Sequence, residues 1–296
     1  MSQIKRKIYK IRLQNLKEKN TVRNNLHHFE KEIFIVSSPK FMNKVKEDLC
    51  LQECFINNKV NCKIISYEDN ISSKNCLIRS VWGYHNQQDV FTSFIRRNHT
   101  INTSEIILHN MDKKKQYELL EKYSIPRIET KFLKQISEVE KIPTTLVIKP
   151  VVSASGDNTY IVKDEDDLKN IGELSNIMVQ PYIENIKNGE TSVIVINHEI
   201  QYGIIRHPGI FTKYEKEKYL SKDELDSDLI SLVQKVLQIK EYQNAVFMRI
   251  DCVKDKEYKI MELELVDPDL FVETIPNKNE RDQIYQKLVS TVKKEL

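Results

Sequence analysis

Lys149 stands at the end of an apolar run, Leu146-Val147-Ile148, and is followed by Pro150 and then by Ser153, Ala154, Ser155 and Gly156. A phosphate needs a fixed cation together with backbone N–H and hydroxyl donors, and this segment supplies all three. The GxxxxGK[ST] phosphate loop is absent, so the same residues also fit an ordinary turn between two strands.

A second group is Val246-Phe247-Met248-Arg249-Ile250-Asp251 with Met261-Glu262-Leu263-Glu264-Leu265. Strand alternation puts Arg249 and Asp251 on one face and Glu262 and Glu264 on one face. A two-residue turn at Asp255-Lys256 sets Arg249 opposite Glu262 and Asp251 opposite Ile260, with all four charges on the same side. Carboxylates gathered on a sheet repel unless a cation offsets them, and hard Mg²⁺ takes carboxylate and phosphate oxygens. A solvated outer face explains the same pattern without a metal. A third group, Gln180-Pro181-Tyr182-Ile183-Glu184 with Gly189-Glu190, has an amide, an aromatic ring and acids suited to a purine edge and a ribose, or to a plain connection.

The elements that must carry these groups follow from periodicity. Strands are expected over 33–36, 60–65 and 76–79 with helices over 41–55 and 87–97, the alternation of a small parallel sheet. A helix over 112–123 ends at Ile125-Pro126, where the ring blocks continuation, and a domain boundary is placed near residue 125. Beyond it, strands are expected over 146–148, 160–162, 177–180, 192–196, 201–205, 246–253 and 258–265. Helices are expected near 134–140, 165–174, 222–238 and 279–296, the third opening with the capping-box pair Ser221 and Glu224.

With 296 residues the chain has room for two domains, and 46 Lys+Arg against 43 Asp+Glu leave a net charge of +3, too little for a nucleic-acid-coating protein. No run reaches the ~20 apolar residues of a membrane span, and no secretory signal is evident, so a cytoplasmic protein is expected. The five cysteines are odd in number and lack CxxC spacing, which points to reduced thiols and no zinc site. Residues 1–30 hold eight Lys/Arg against Glu18 and Glu30, and read as a solvated basic leader or an amphipathic helix.

In their order along the chain the three groups resemble the ATP-grasp ligases, and within them the cyclo-ligase of D-cycloserine biosynthesis and its glutathione-synthetase-like relatives. Ile78-Arg79-Ser80-Val81-Trp82-Gly83-Tyr84-His85 is similar to a motif of that branch, as are Asn110, Lys113, Tyr117 and Ile125-Pro126. The resemblance runs from about Ile33 to Phe271 and leaves out the leader. It implies an α/β or α+β fold: a leader (1–30), an N-terminal parallel α/β domain (31–125), and an ATP-grasp domain (126–296) with lobes at about 126–185 and 186–296.

By the same resemblance, Lys149 meets the nucleotide phosphates and Ser153, Ser155 and Gly156 fold over them, with Lys134 as a second lysine. Gln180, Tyr182 and Ile183 would meet adenine, and Glu184 or Glu190 the ribose. Asp251, Glu262 and Glu264 would hold two Mg²⁺ ions, for which Mn²⁺ substitutes. Arg206 and Arg249 would stabilise the transferring phosphoryl group, while Arg79, Ser80, Trp82 and Lys213 would meet the substrate. Glu264 replaces the asparagine of many ATP-grasp enzymes, and Gly209 to Lys213 lacks the Asp-Phe-Arg of the branch. The implied activity is an ADP-forming carboxylate–amine ligase acting through an acyl phosphate. Its substrates would be a small carboxylate and amine or a peptide, with no membrane or nucleic-acid partner, and a homodimer is a further expectation. A small-molecule kinase and a non-catalytic nucleotide-responsive protein are the alternatives.

Overall fold

The computed structural model describes residues 31–154, 156–207 and 217–296. The basic leader, Ser155 and Lys213 lie outside the described residues.

Among those residues, β1 (Lys31–Ser37), β2 (Val60–Ser66), β3 (Asn75–Ile78) and β4 (His99–Ile101) form a parallel sheet in the order β2-β1-β3-β4. Ile33, Phe34, Ile35 and Val36 are all buried, the apolar run of a strand covered on both faces. The helices of this unit are α1 (Lys46–Asn57) and α2 (Gln88–Arg97), the latter burying Phe91, Phe94 and Ile95 on one face. Next come α3 (Ser104–Asn110) and α4 (Lys113–Lys122), capped by the side chains of Thr103 and Asp112.

A second, antiparallel sheet holds β5 (Lys131–Gln135), β6 (Leu146–Pro150), β7 (Tyr160–Val162) and β8 (Ser175–Pro181) in the order β5-β8-β6-β7, with α5 (Glu165–Asn170) beside β7. Its core is small: Leu146, Ile148, Val162, Ile177 and Val179. The third sheet has the order β11-β10-β9-β12-β13 and consists of β9 (Glu190–Ile196), β10 (Glu199–Arg206), β11 (Glu217–Ser221), β12 (Phe247–Lys254) and β13 (Tyr258–Glu264). It is apolar on both faces. Val193, Val195, Met248, Ile250 and Leu263 pack with α6 (Ser227–Val236). Ile194, Ile196, Tyr202, Ile204 and Phe247 share one core with Ile33, Ile35 and Leu77 of the first sheet and with α7 (Lys278–Glu295).

That second face decides where the chemistry sits. Glu190 and Ser192 lie on the same side of β9 as Ile194 and Ile196, and Arg249 and Asp251 share a side of β12 with Phe247. The apolar end of this face is sealed against the first sheet, and the charged end continues beyond it.

Several expectations change. The hairpin turn has three residues, since Lys254 pairs with Tyr258, so two-residue geometry at Asp255-Lys256 is wrong. An odd turn alone would invert the facing of the strands. A bulge restores it: Cys252 pairs with Ile260 and Asp251 with Glu262, which leaves Met261 as the extra residue. Arg249 therefore faces Glu264, two residues from the expected register. The helix expected over 134–140 is β5 and a single 3-10 turn, Ile136–Glu138, because pairing with β8 overrides local propensity. The capping box at Ser221 and Glu224 closes a 3-10 turn, and α6 starts later behind Asp226. The helix expected from residue 41 begins at Lys46. Three short elements, β4, α3 and β11, went unforeseen.

Gly189 ends the 3-10 helix before β9 with φ +104, and an added Cβ would stand 2.5 Å from Ile205 Cγ2 and 3.2 Å from the Arg206 carbonyl oxygen. Gly189→Ala is therefore expected to cost about 1–3 kcal/mol, read as a lower denaturation midpoint. An unchanged midpoint would contradict this account of the turn.

Candidate active site

The charged end of the third sheet is a closed ion network. Asp251 accepts from Arg249 Nε at 2.9 Å and Nη2 at 2.9 Å, from Ser192 Oγ at 2.5 Å, and pairs with Arg206 Nη2 at 3.1 Å. Burial alone would raise its pKa, but the Arg249 and Arg206 guanidiniums outweigh burial and hold the carboxyl well below the usual range. Arg206 also pairs with Glu190. The Phe271 ring lies against both guanidiniums, 5.1 Å from that of Arg206 and 5.7 Å from that of Arg249.

Beside this network lie two lysines. Lys149 is delivered by β6, and burial lowers its pKa against the opposing pull of Glu262. Lys113 opens α4, is buried, pairs with Glu262 at 3.1 Å and donates to the Ser153 carbonyl oxygen at 2.6 Å. These two cations outweigh burial and lower the pKa of Glu262. Sequence reading placed Lys113 in a motif without a role and chose Lys134 instead. Lys134 is exposed on β5, where its backbone N–H reaches Glu138, so it is not part of this cluster. The available signal was the Asp112 cap, which puts Lys113 at the first helical position with a stem long enough to fold back.

The small-residue segment docks beside these lysines. Ser153 is buried and its hydroxyl donates to the Pro150 carbonyl at 3.2 Å, while Gly156 has φ +73 with open space where a Cβ would stand. The connector after β8 is separate: Tyr182, Ile183 and Glu184 line a cavity of about 320 Å³ with Ile128, Glu129, Pro181, Asp255 and Lys259. Gln180 is buried next to it and its amide nitrogen donates to Tyr117 Oη at 2.7 Å and Thr130 Oγ1 at 2.8 Å. Of the two candidates for a ribose contact, only Glu184 lines the cavity. Glu190 belongs to the Arg206 network because the Gly189 turn starts β9 on the charged face.

Arg79 and Ser80 are buried. Arg79 donates to Glu47 at 3.0 Å and to the Pro268 carbonyl at 2.7 Å, and the Ser80 hydroxyl bonds Asp48 and Ser37. They brace the start of α1 against the segment after β13. Trp82 is partly exposed and meets Phe41 edge-on at 4.9 Å.

Among the described residues no group of three or more His, Cys, Asp or Glu side chains is gathered as a metal cage. The donor chemistry nevertheless suits a hard cation. Burial and the Glu262 charge push Glu264 upward, and burial and Glu264 push Asp267 well above its ordinary range. Asp267 Oδ2 is buried without a hydrogen-bond partner among the described residues. This side of the cluster carries excess negative charge, which a divalent cation relieves.

With this geometry established, residues 110–269 match the RimK-like ATP-grasp domain family, and the chain belongs to that family. The ligase class expected from the motifs agrees with that membership. Its fold is similar to D-cycloserine synthetase DcsG (TM-score 0.73, 16% identity, 88% of this chain and 99% of that one). It is also similar to the D-alanine–D-alanine ligase of Bacillus anthracis complexed with ATP (0.60, 17%, 89% and 96%). A third structure is the ATP-grasp ligase PsnB with minimal precursor, Mg and ADP (0.59, 12%, 88% and 98%). No curated protein matches the chain.

Near the site, one guanidinium, Arg79, faces Glu47, Asp48 and Asp269. Burial and then the Asp269 charge push Glu47 up to about 8 from 4.5. The folded chain thus holds a proton that the unfolded chain releases, so this group's stabilisation is complete below about pH 4.5 and is lost as pH rises toward about 8. The denaturation midpoint is expected to fall more steeply from about pH 5 to about pH 8 in the parent chain than in Glu47→Gln. Parallel slopes would contradict the assignment.

Proposed function

We propose that this protein is an ATP-dependent carboxylate–amine ligase that forms an amide through an acyl phosphate and releases ADP and phosphate. The observation that carries the reading is the gathering of buried Lys113 and half-buried Lys149 around Glu262, next to Arg206 and Arg249 clamped on Asp251. The lysines suit the phosphates of ATP, and the arginines suit the charge that develops as a carboxylate oxygen takes the γ-phosphoryl group and ADP leaves. An amine held close then attacks the acyl carbon, loses a proton and expels phosphate. No nucleophilic side chain is required, and Cys252, the cysteine of β12, has its thiol pushed well up by burial.

Glu262 and Glu264, with Asp251 as a third oxygen donor, are the residues that would hold Mg²⁺ or Mn²⁺, expected as two ions. When bound, the metal would offset phosphate charge. Of the similar structures, one ligase is complexed with ATP and another with Mg and ADP. Their names and ligands include D-cycloserine, D-alanine and a precursor, which supports a small-molecule or peptide substrate here. The cavity beside Tyr182, Ile183 and Glu184 is the place for adenine and ribose. Asp251, held ionised by two arginines, is a poor base for a hydroxyl, which favours ligase over kinase chemistry.

The expected outcome with a carboxylate library and hydroxylamine is ADP and free phosphate in equal amounts together with a hydroxamate. ADP with a stable phosphorylated product and no free phosphate would establish a kinase instead.

A further inference from the structure

His85 belongs to the 3-10 turn Tyr84–Asn86 of the N-terminal unit, and its Nε2 lies 2.9 Å from Asp157 Oδ2 in the segment after β6. The imidazole is 6% exposed and the carboxylate 56%. We propose that His85 is a positioning residue for the nucleotide phosphates, acting through Asp157 to fix the turn around Gly156 that follows the Lys149 strand. The inference rests on the nucleotide reading given above and adds to it a residue from the N-terminal unit.

Three contacts tie this segment to the N-terminal unit and its exit helix. The Lys113 N–H donates to the Val151 carbonyl at 3.1 Å and its ammonium to that of Ser153 at 2.6 Å. Ala154 packs against the cluster that contains Tyr84 and Phe91. Past Ala154, the segment has its own turn, with Asp157 N–H donating to the Ala154 carbonyl at 3.0 Å and Thr159 N–H to that of Gly156 at 3.2 Å. Among the described residues, Asp157 is the point at which this turn hydrogen-bonds a side chain from outside itself. Without that contact the turn keeps its internal bonds and loses its fixed distance from Lys149, and backbone donors orient a phosphate only when held in place.

The state of the ring points the same way. Nδ1 is buried without a hydrogen-bond partner among the described residues. Leaving a buried ring nitrogen unpaired is unfavourable, so the placement of this ring calls for an explanation beyond packing. Its reach to Asp157 supplies one. His85, the last residue of the motif that begins at Ile78, thereby acquires a role that depends on geometry and not on proton transfer.

The test is calorimetry of Mg²⁺-AMP-PNP and of AMP with the full chain and with His85→Ala, Asp157→Ala, the double variant and His85→Gln. Each single alanine is expected to weaken AMP-PNP by roughly 3- to 30-fold, while the double variant is no weaker than the worse single one. AMP affinity stays within about twofold, because the turn acts on phosphates beyond the first. His85→Gln keeps a side-chain N–H near the position of Nε2 and is expected to retain parental affinity. Additive losses, equal losses for AMP and AMP-PNP, or unchanged AMP-PNP affinity in both single variants would overturn the proposal. If His85→Ala does not fold, Asp157→Ala, at an exposed site, carries the same comparison. Failure of the parent chain to bind AMP-PNP would overturn the nucleotide reading and this inference together, whereas parental binding with indifferent variants would overturn this inference alone.

Discussion

Burying charge is the constraint on which the rest of this structure depends. Asp251, Glu190, Arg206 and Arg249 lie inside the protein, where an ion without partners is strongly disfavoured, and removal of one member of such a set typically costs about 3–5 kcal/mol. Each neighbouring element is arranged so that no member is left alone. The Gly189 turn brings Glu190 to Arg206, Ser192 gives its hydroxyl to Asp251, and Phe271 offers its ring to both guanidiniums. The bulge at Met261 keeps Glu262 and Glu264 on the side where Lys113 and Arg249 can meet them.

The network is balanced unevenly, and the imbalance is where function enters. Arginines hold Asp251 ionised and lysines pull Glu262 down, whereas burial and like charge push Glu264 and Asp267 up against the opposing pull of Arg249. A triphosphate with a divalent cation suits such a place, since phosphate oxygens match the lysines and arginines while the cation matches the carboxylates. The first sheet contributes packing: its core is continuous with the apolar end of the third-sheet face that carries the network.

Much of this could be read from the chain because strand alternation is a strict period of two. It put Arg249 with Asp251 and Glu262 with Glu264, and the apolar run before Lys149 announced the strand that carries it. What alternation does not carry is an added residue: the three-residue turn and the Met261 bulge each shift the pairing by one, and their joint effect keeps the facing while changing the register. Lys113 was missed because its role depends on a long side chain folding from a helix start onto another sheet. Lys134 was favoured for its sequence position, although pairing with β8 makes its segment an exposed edge strand. Arg79 looked like a substrate contact, yet burial beside Glu47 and Asp48 turned it into an internal brace.

The central claim is that Lys113, Lys149 and the adjoining carboxylates form one site for a metal–nucleotide complex. Titration calorimetry of ATP, with and without Mg²⁺, into the parent chain and into a folded Lys149→Ala variant tests it directly. The account predicts Mg²⁺-dependent binding that weakens by about tenfold or more when Lys149 is removed, the loss expected for a charge-assisted contact. Equal affinity in the folded variant, or binding indifferent to Mg²⁺, would contradict it.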